Sequence, residues 1–313
     1  MVGNISLIVL GVIVTTIAIL WLYGERWRPL RRSTWIWIRE GGLRRFLSLS
    51  TLHGYLYIRW QNQYVNLFVN HIGPRSSDDS RRWWSSIYHS KVLTQEQAEA
   101  VITVEEDIPL QDLERIVPYP VARDFILTAP PEIVIWECGC RHARKEPCQP
   151  TQVCMVIGQP FVDFIVEHHP NTSRRLNQTE ALELLRAEHK RGHVHAMWFK
   201  DAMMGRNYSI CNCCKCCCGG IEGMNRNGIP IMASSGYVSS IDQDVCTHCG
   251  ICVEACPVNA LVLDNEVLTT IWEKCMGCGV CLGQCPVGAI RLVRDERKGI
   301  PLNVRLLEQE RAA

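Results

Sequence analysis

The sequence predicts an α+β protein in three parts: an N-terminal transmembrane helix, a mixed α/β middle domain rich in cysteine, and a C-terminal domain built on two similar cysteine loops. Three observations carry this. An uncharged apolar run, Ile5–Leu22, opens the chain. Between residues 90 and 200, helix-capping signals alternate with short apolar runs of strand length. Near the C-terminus, one cysteine spacing occurs twice.

The apolar run has 18 residues. At ~1.5 Å per residue it would cover ~27 Å, close to the hydrocarbon thickness of a bilayer. Trp21 and Tyr23 stand at its end, where interfacial aromatics belong. A cleaved signal peptide is the competing reading, but no basic segment precedes the run and no small-residue cleavage site follows it. Arg26, Arg28, Arg31, Arg32, Arg39, Arg44 and Arg45 come after it, and no Lys or Arg comes before. The excess of positive charge predicts a single-pass protein of the cell inner membrane, N-terminus outside and body cytoplasmic.

Residues 1–24 thus read as an anchor and 25–89 as a basic juxtamembrane and amphipathic segment. Trp27, Trp35 and Trp37 among the arginines suit an anionic leaflet; a solvated basic linker is the alternative. Leu52, Leu56, Trp60, Tyr64, Leu67, Phe68 and His71 recur at helical spacing. They predict either an amphipathic helix on a membrane or partner, or an ordinary core helix. Residues 73–82 read as a loop.

A cysteine-rich domain is expected over 90–231. Thr94-x-x-Gln97 is a capping box for a helix near 95–105. Leu110–Val117 reads as a short helix stopped by Pro118, and Pro120 as the first turn of another ending before Pro130. Ile133–Trp136 reads as a buried strand delivering Cys138. Asn177-x-x-Glu180 opens a helix through Lys190, closed by Gly192. His193–Phe199 then reads as a strand.

Residues 232–313 form the last domain. Cys246, Cys249, Cys252 and Cys256 precede Pro257; Cys275, Cys278, Cys281 and Cys285 precede Pro286. Each run is C-x2-C-x2-C-x3-C-P, the spacing that holds [4Fe–4S] clusters, because three thiolates must reach three irons of one small cubane. The two runs are offset by 29 residues, and the similarity continues through Cys-Pro-Val into an apolar stretch. Gly250 and Gly279 each follow a second cysteine, where backbone must approach without a Cβ. Zinc is the rival reading of C-x2-C pairs, though zinc sites do not need duplicated triplets. Tyr237-Val238 reads as the opening strand, and His248 sits inside the first loop.

Residues 236–295 resemble a bacterial-type two-cluster ferredoxin domain. In that family the fourth cysteine of each run ligates the other cluster. The resemblance therefore implies one cluster on Cys246, Cys249, Cys252 and Cys285, and a second on Cys275, Cys278, Cys281 and Cys256.

Ten further cysteines lie upstream: Cys138, Cys140, Cys148 and Cys154, then Cys211, Cys213, Cys214, Cys216, Cys217 and Cys218. Adjacent cysteines cannot easily face one cluster, though alternate ones such as Cys211, Cys214 and Cys217 can. The pairing of E-C-x-C-R with C-N-C-C-x-C-C-C resembles membrane-associated iron–sulfur proteins of anaerobic bacteria that end in a two-cluster ferredoxin domain. Three readings stand: one or more additional iron–sulfur clusters, a zinc or other soft-metal site, or reactive thiols. Arg141, His142, Arg144 and Lys145 would offset cluster charge or activate thiols, or form a solvated loop. His193 and His195 share a strand face and offer imidazole ligands, although paired core or surface histidines are commoner.

The 18 cysteines in 313 residues crowd as C-x-C and C-C-C, which suits thiolate ligation in a reducing compartment better than disulfides. The net charge of +1 gives no field directed at nucleic acid. No haem, flavin or nucleotide motif occurs. The expected function is single-electron transfer through the two clusters and a further upstream one, beside redox partners in a membrane complex. An oxidoreductase with its own thiol- or metal-centred site upstream, or a redox sensor, is the alternative.

Overall fold

A computed structural model of the chain describes residues 2–46, 48–111, 116 and 124–307. Five helices come first: α1 (Val2–Gly24), α2 (Arg32–Phe46), α3 (Leu49–Arg59), α4 (Gln61–Leu67) and α5 (Asp78–Ile87), with a π-helical turn over Phe68–Ile72. The middle of the chain alternates strands and helices. It runs β1 (Tyr88–Leu93), α6 (Gln95–Ile102), β2 (Ile108–Gln111), β3 (Asp124–Leu127), β4 (Ile133–Glu137), α7 (Gly139–His142) and β5 (Gln152–Ile157). It continues through α8 (Phe161–His168), β6 (Ser173–Leu176), α9 (Gln178–Lys190), β7 (Val194–Lys200), β8 (Arg206–Cys213), α10 (Gly219–Asn227) and β9 (Met232–Ala233). The last part holds β10 (Tyr237–Ile241), α11 (Ile251–Ala255), β11 (Leu261–Asp264), β12 (Val267–Thr270), α12 (Val280–Gln284) and β13 (Ile290–Arg294).

The middle strands form one sheet in the order β6-β4-β5-β8-β7-β1-β9, with β3 joining β8 and β2 pairing β3. Neighbours are mainly antiparallel, so side chains alternate between two buried faces. Val134, Trp136, Cys154, Val156, Ala196 and Trp198 pack on the face covered by α3 and α8. Ile133, Ile135, Met155, Met197, Phe199 and Ile210 pack on the other face with α6 and α9. Capping boxes at Thr94 and Asn177 start α6 and α9; each cap contributes about 1 kcal/mol.

The expected membrane span is not found: among the described residues, no helix is long and apolar enough to cross a membrane. The residues do form a helix, α1. The end of α1 is instead tied into the protein. Trp21 stacks on Tyr55 with ring centroids 5.4 Å apart. Buried Glu25 accepts hydrogen bonds from the Thr34 and Tyr55 hydroxyls, each at 2.9 Å, and lies 3.3 Å from His168 Nε2. The single-pass inner-membrane placement falls with the span. Two of the arginines that suggested it serve protein contacts: Arg31 Nε donates to Glu25 O, and Arg26 to His168 O.

Other local expectations also shift. The helical run over 52–71 breaks at Trp60 into α3 and α4, and Tyr55, Tyr57 and Ile58 are core residues. The loop expected over 73–82 contains the start of α5, whose N-cap Ser77 accepts from Ser80 N–H. Leu110 and Gln111 lie on β2 rather than a helix, and the helix expected after Pro120 is replaced by β3 where described. Residues 112–115 and 117–123 lie outside the described residues.

The C-terminal part is a pseudo-symmetric pair of units. β10 pairs antiparallel with β13, and β11 with β12. Each unit has one short helix, α11 or α12, capped by Gly250 or Gly279 in the left-handed region (φ +75° and +80°).

Candidate metal centres

The C-terminal cysteines gather in two places. Cys246, Cys249, Cys252 and Cys285 line one small cavity, together with His248, Leu263 and Ile290. Cys256, Cys275, Cys278 and Cys281 line another, with Ser239, Val258 and Leu292. The chain achieves this because each Cys-Pro segment leaves its own loop and returns beside the other unit. Backbone N–H groups point at sulfur: Ala260 donates to Cys256 Sγ and Ala289 to Cys285 Sγ, both at 3.2 Å, and Ser239 to Cys275 Sγ at 3.5 Å. Four free thiols around each cavity, with N–H donors aimed at them, fit the needs of a cysteine-ligated cubane. Cys249 is exposed, whereas Cys278 and Cys281 are buried.

Upstream, the ten cysteines do not gather at one point. Six line one cavity as a ring of neighbouring thiols: Cys138, Cys140, Cys218, Cys213, Cys211, Cys154 and back to Cys138. The fold explains the set. Cys211 and Cys213 are two apart on β8 and so share a face. β5 pairs antiparallel with β8, Met155 opposite Ile210, which brings Cys154 beside Cys211. Cys138 and Cys218 occupy the N-caps of α7 and α10. The neighbours favour two thiolates: the thiols of Cys154 and Cys213 hold Cys211 down at about 5, and those of Cys140 and Cys213 hold Cys218 well below its usual range.

The ring forms one wall of a cavity of about 320 Å³. Tyr57, Tyr64, Tyr88, Trp198 and Lys200 also line it. The Lys200 ammonium lies 4.4 Å from the Tyr88 ring centroid and 4.5 Å from that of Tyr57. Burial lowers its pKa to about 7, partly countered by Asp201.

Cys148, Cys214 and Cys216 form a separate group, with their Sγ atoms all within 4.8 Å of one another. Cys217 Sγ is 3.4 Å from Cys216 Sγ and accepts the Cys148 N–H at 3.4 Å. The C-x2-C-x2-C spacing of Cys211, Cys214 and Cys217 is therefore not how the chain groups them. β8 ends at Cys213 and the backbone turns, so that Cys214, at the edge of the cavity, groups with Cys148 and Cys216 instead.

Of the basic cluster, Arg141 is fully buried and bonds Glu188, while His142 Nε2 is 2.8 Å from Glu137 and Arg144 bonds Cys217 O and Glu222. His193 and His195 part company. His195 Nδ1 lies 2.7 Å from Asn212 Oδ1, and burial pushes its pKa to about 4. His193 Nε2 lies 3.7 Å from Cys148 Sγ. Lys200 was not singled out by sequence reasoning; a lone lysine in an apolar run, Val194–Lys200, is the signal that could have found it.

The C-terminal geometry, two cavities each lined by four cysteines, is that of an iron–sulfur module. Residues 239–292 match the family described as 4Fe-4S dicluster domain, so the chain carries a dicluster ferredoxin domain near its C-terminus. A ferredoxin of Pyrobaculum islandicum is 60% identical over 35 residues, which cover 11% of this chain and 33% of that protein. The chain thus spans about a third of the length of the curated relative it matches. A domain of this kind implies electron transfer.

Proposed function

We propose that this protein relays single electrons through two [4Fe–4S] clusters in its C-terminal domain and a further iron–sulfur centre on the six-thiol ring. The observation that carries the reading is the convergence of six free thiols, from five elements or caps, on one cavity in a chain that also carries a dicluster domain. Cys246, Cys249, Cys252 and Cys285 would hold one cluster, and Cys256, Cys275, Cys278 and Cys281 the other. When bound, such clusters supply reversible one-electron chemistry.

The chain's own residues organise the route. Exposed Cys249, with the exposed side chains of Val245, Ile251 and Val287 near it, offers the outer contact for a redox protein partner. The inner site faces the middle domain: Cys278 and Val280 belong to the same hydrophobic cluster as Cys213 and Cys218. Asn225 donates to Pro257 O at 2.8 Å and Gln284 to Lys190 O at 2.9 Å, fixing the two parts against each other. The chemistry supported is outward-to-inward relay with water excluded at the inner site.

A second reading, an oxidoreductase with its own active site, rests on the cavity that Lys200 shares with the ring. Iron and acid-labile sulfide counts with electron paramagnetic resonance on anaerobically purified full-length protein test the relay. More than eight iron atoms per chain, since two cubanes account for about eight, supports the ring centre. Eight or fewer, with the ring thiols alkylatable in native protein, sinks it and favours the enzyme reading.

A further inference from the structure

The ring leaves four upstream cysteines unassigned, and three of them converge. Cys148 lies on the loop after α7; Cys214 and Cys216 lie in the turn between β8 and α10. Their Sγ atoms are mutually within 4.8 Å. That separation suits a single ion. Thiolates ~2.3 Å from one tetrahedral centre stand ~3.8 Å apart, whereas thiolates on separate irons of a cubane stand farther apart.

A fourth donor stands beside Cys148, at the edge of the group of three sulfurs. His193 Nε2 is 3.7 Å from Cys148 Sγ. A nitrogen at ~2.0 Å and a sulfur at ~2.3 Å on one tetrahedral ion stand ~3.6 Å apart. The other ring nitrogen, Nδ1, is 2.6 Å from Glu188 Oε2. Glu188 is completely buried and is held by Arg141 at 3.0 Å and Arg191 at 2.6 Å. The nitrogen facing a carboxylate carries the proton, so Nε2 presents its lone pair toward the thiols. A carboxylate–histidine pair of this kind orients and strengthens imidazole ligands at metal sites. Cys216 is exposed, which gives the ion an entry path.

We propose that Cys148, Cys214, Cys216 and His193 Nε2 form a mononuclear, tetrahedral zinc-type site, with Glu188 as its positioning residue, distinct from the six-thiol ring and from the dicluster domain. Zinc is not redox-active, so the site takes no part in the relay. It staples the loop carrying Cys148 to the turn after β8, and so fixes the strand end from which Cys211 and Cys213 project into the ring. A Cys148–His193–Glu188 alignment alone would equally describe an activated thiol. The convergence of Cys214 and Cys216 on Cys148 is what assigns it to an ion.

The test uses anaerobically purified full-length protein given zinc alone. Zinc is counted against iron, and X-ray absorption is recorded at the zinc edge. The expected result is one zinc per chain with three sulfurs at ~2.3 Å and one nitrogen at ~2.0 Å. Glu188→Gln should keep that shell but weaken zinc about 10- to 100-fold in competition with a chromophoric chelator, as loss of an outer-shell partner does. The iron–thiolate absorbance should stay unchanged, which separates this effect from misfolding. A shell of four sulfurs that persists in His193→Gln overturns the assignment in favour of Cys217. Absence of zinc binding by the unaltered protein, or alkylation of Cys148 at the same rate with and without zinc, overturns the site.

Discussion

Arg141 and Glu188 form a fully buried ion pair, Nη2 to Oε2 at 3.0 Å, that separates the two upstream thiol groups. Arg141 follows the ring cysteine Cys140 directly and also donates to Pro150 O and, at 3.2 Å, to Asn212 O. Burial alone would raise the Glu188 carboxyl, but His193 and Arg141 outweigh it and hold its pKa low. The pair thus clamps the Cys138–Cys154 segment onto α9 and β8.

Arg141→Met should therefore leave Glu188 with His193 and the half-exposed Arg191 but without its buried guanidinium. A buried pair broken on one side costs about 3–5 kcal/mol. Thermal unfolding followed by circular dichroism under anaerobic conditions should show the loss. A shift equal to that of an exposed control such as Arg226→Met would contradict the clamp.

Cys285→Ala removes a thiol from the cavity it shares with Cys246, Cys249 and Cys252, although it belongs by sequence to the other run. The expected outcome is disturbance of the centre on the first run, with that on Cys275, Cys278 and Cys281 retained. Paramagnetic resonance of the reduced protein distinguishes the two, because the cluster interaction signal should collapse to one spin system. Retention of both centres speaks against the shared site.

Gly277 lies in the left-handed region at φ +62°, and a Cβ there would stand 2.3 Å from Tyr237 O. Gly277→Ala forces β10 away from the loop carrying Cys275 and Cys278. Left-handed backbone on a non-glycine residue costs of order 1–3 kcal/mol before the clash is counted. Iron content should fall by about one cluster per chain, assuming four irons per cubane. Gly288→Ala, at φ +68° with nothing within 4 Å of a Cβ, carries the same backbone cost without the clash and should keep its full iron content.

Lys91 is buried on β1, its ammonium donating to Ile300 O at 2.7 Å. Burial, then the nearby Arg294, lowers its pKa to about 7. The unfolded chain keeps that proton to about pH 10.4. Between these values the unfolded state binds more protons, so stability from this group rises with pH. The difference in melting temperature, Lys91→Met minus unaltered protein, should therefore fall as pH is raised from 7 to 10. A constant difference would show that Lys91 titrates normally.

What is legible in the sequence follows from how local the signal is. The dicluster domain is readable because its ligand spacing is written within short runs, and the caps at Thr94 and Asn177 because four residues define each. Ile5–Leu22 misleads because hydropathy records apolarity, not the contacts that bind Trp21 and Glu25 to Tyr55 and His168. The strands at Ile108 and Asp124 are missed because tertiary pairing with β8 outweighs proline punctuation. The six-thiol ring is illegible for a different reason. Its members are brought together by strand register and two helix caps, and only the i, i+2 relation of Cys211 and Cys213 hints at it.

The turn after Cys213 gives the C-N-C-C-K-C-C-C stretch the character of a reading frame. Cys213 and Cys214 are neighbours in the chain yet belong to different thiol groups, as do Cys216 and Cys218. A strand's side chains change faces with each residue, so one inserted or deleted residue in β8 would exchange the memberships wholesale. Point substitutions subtract a single sulfur, whereas a one-residue length change scrambles both constellations at once. Spacing in this stretch is therefore a stricter requirement than the identity of any one cysteine in it.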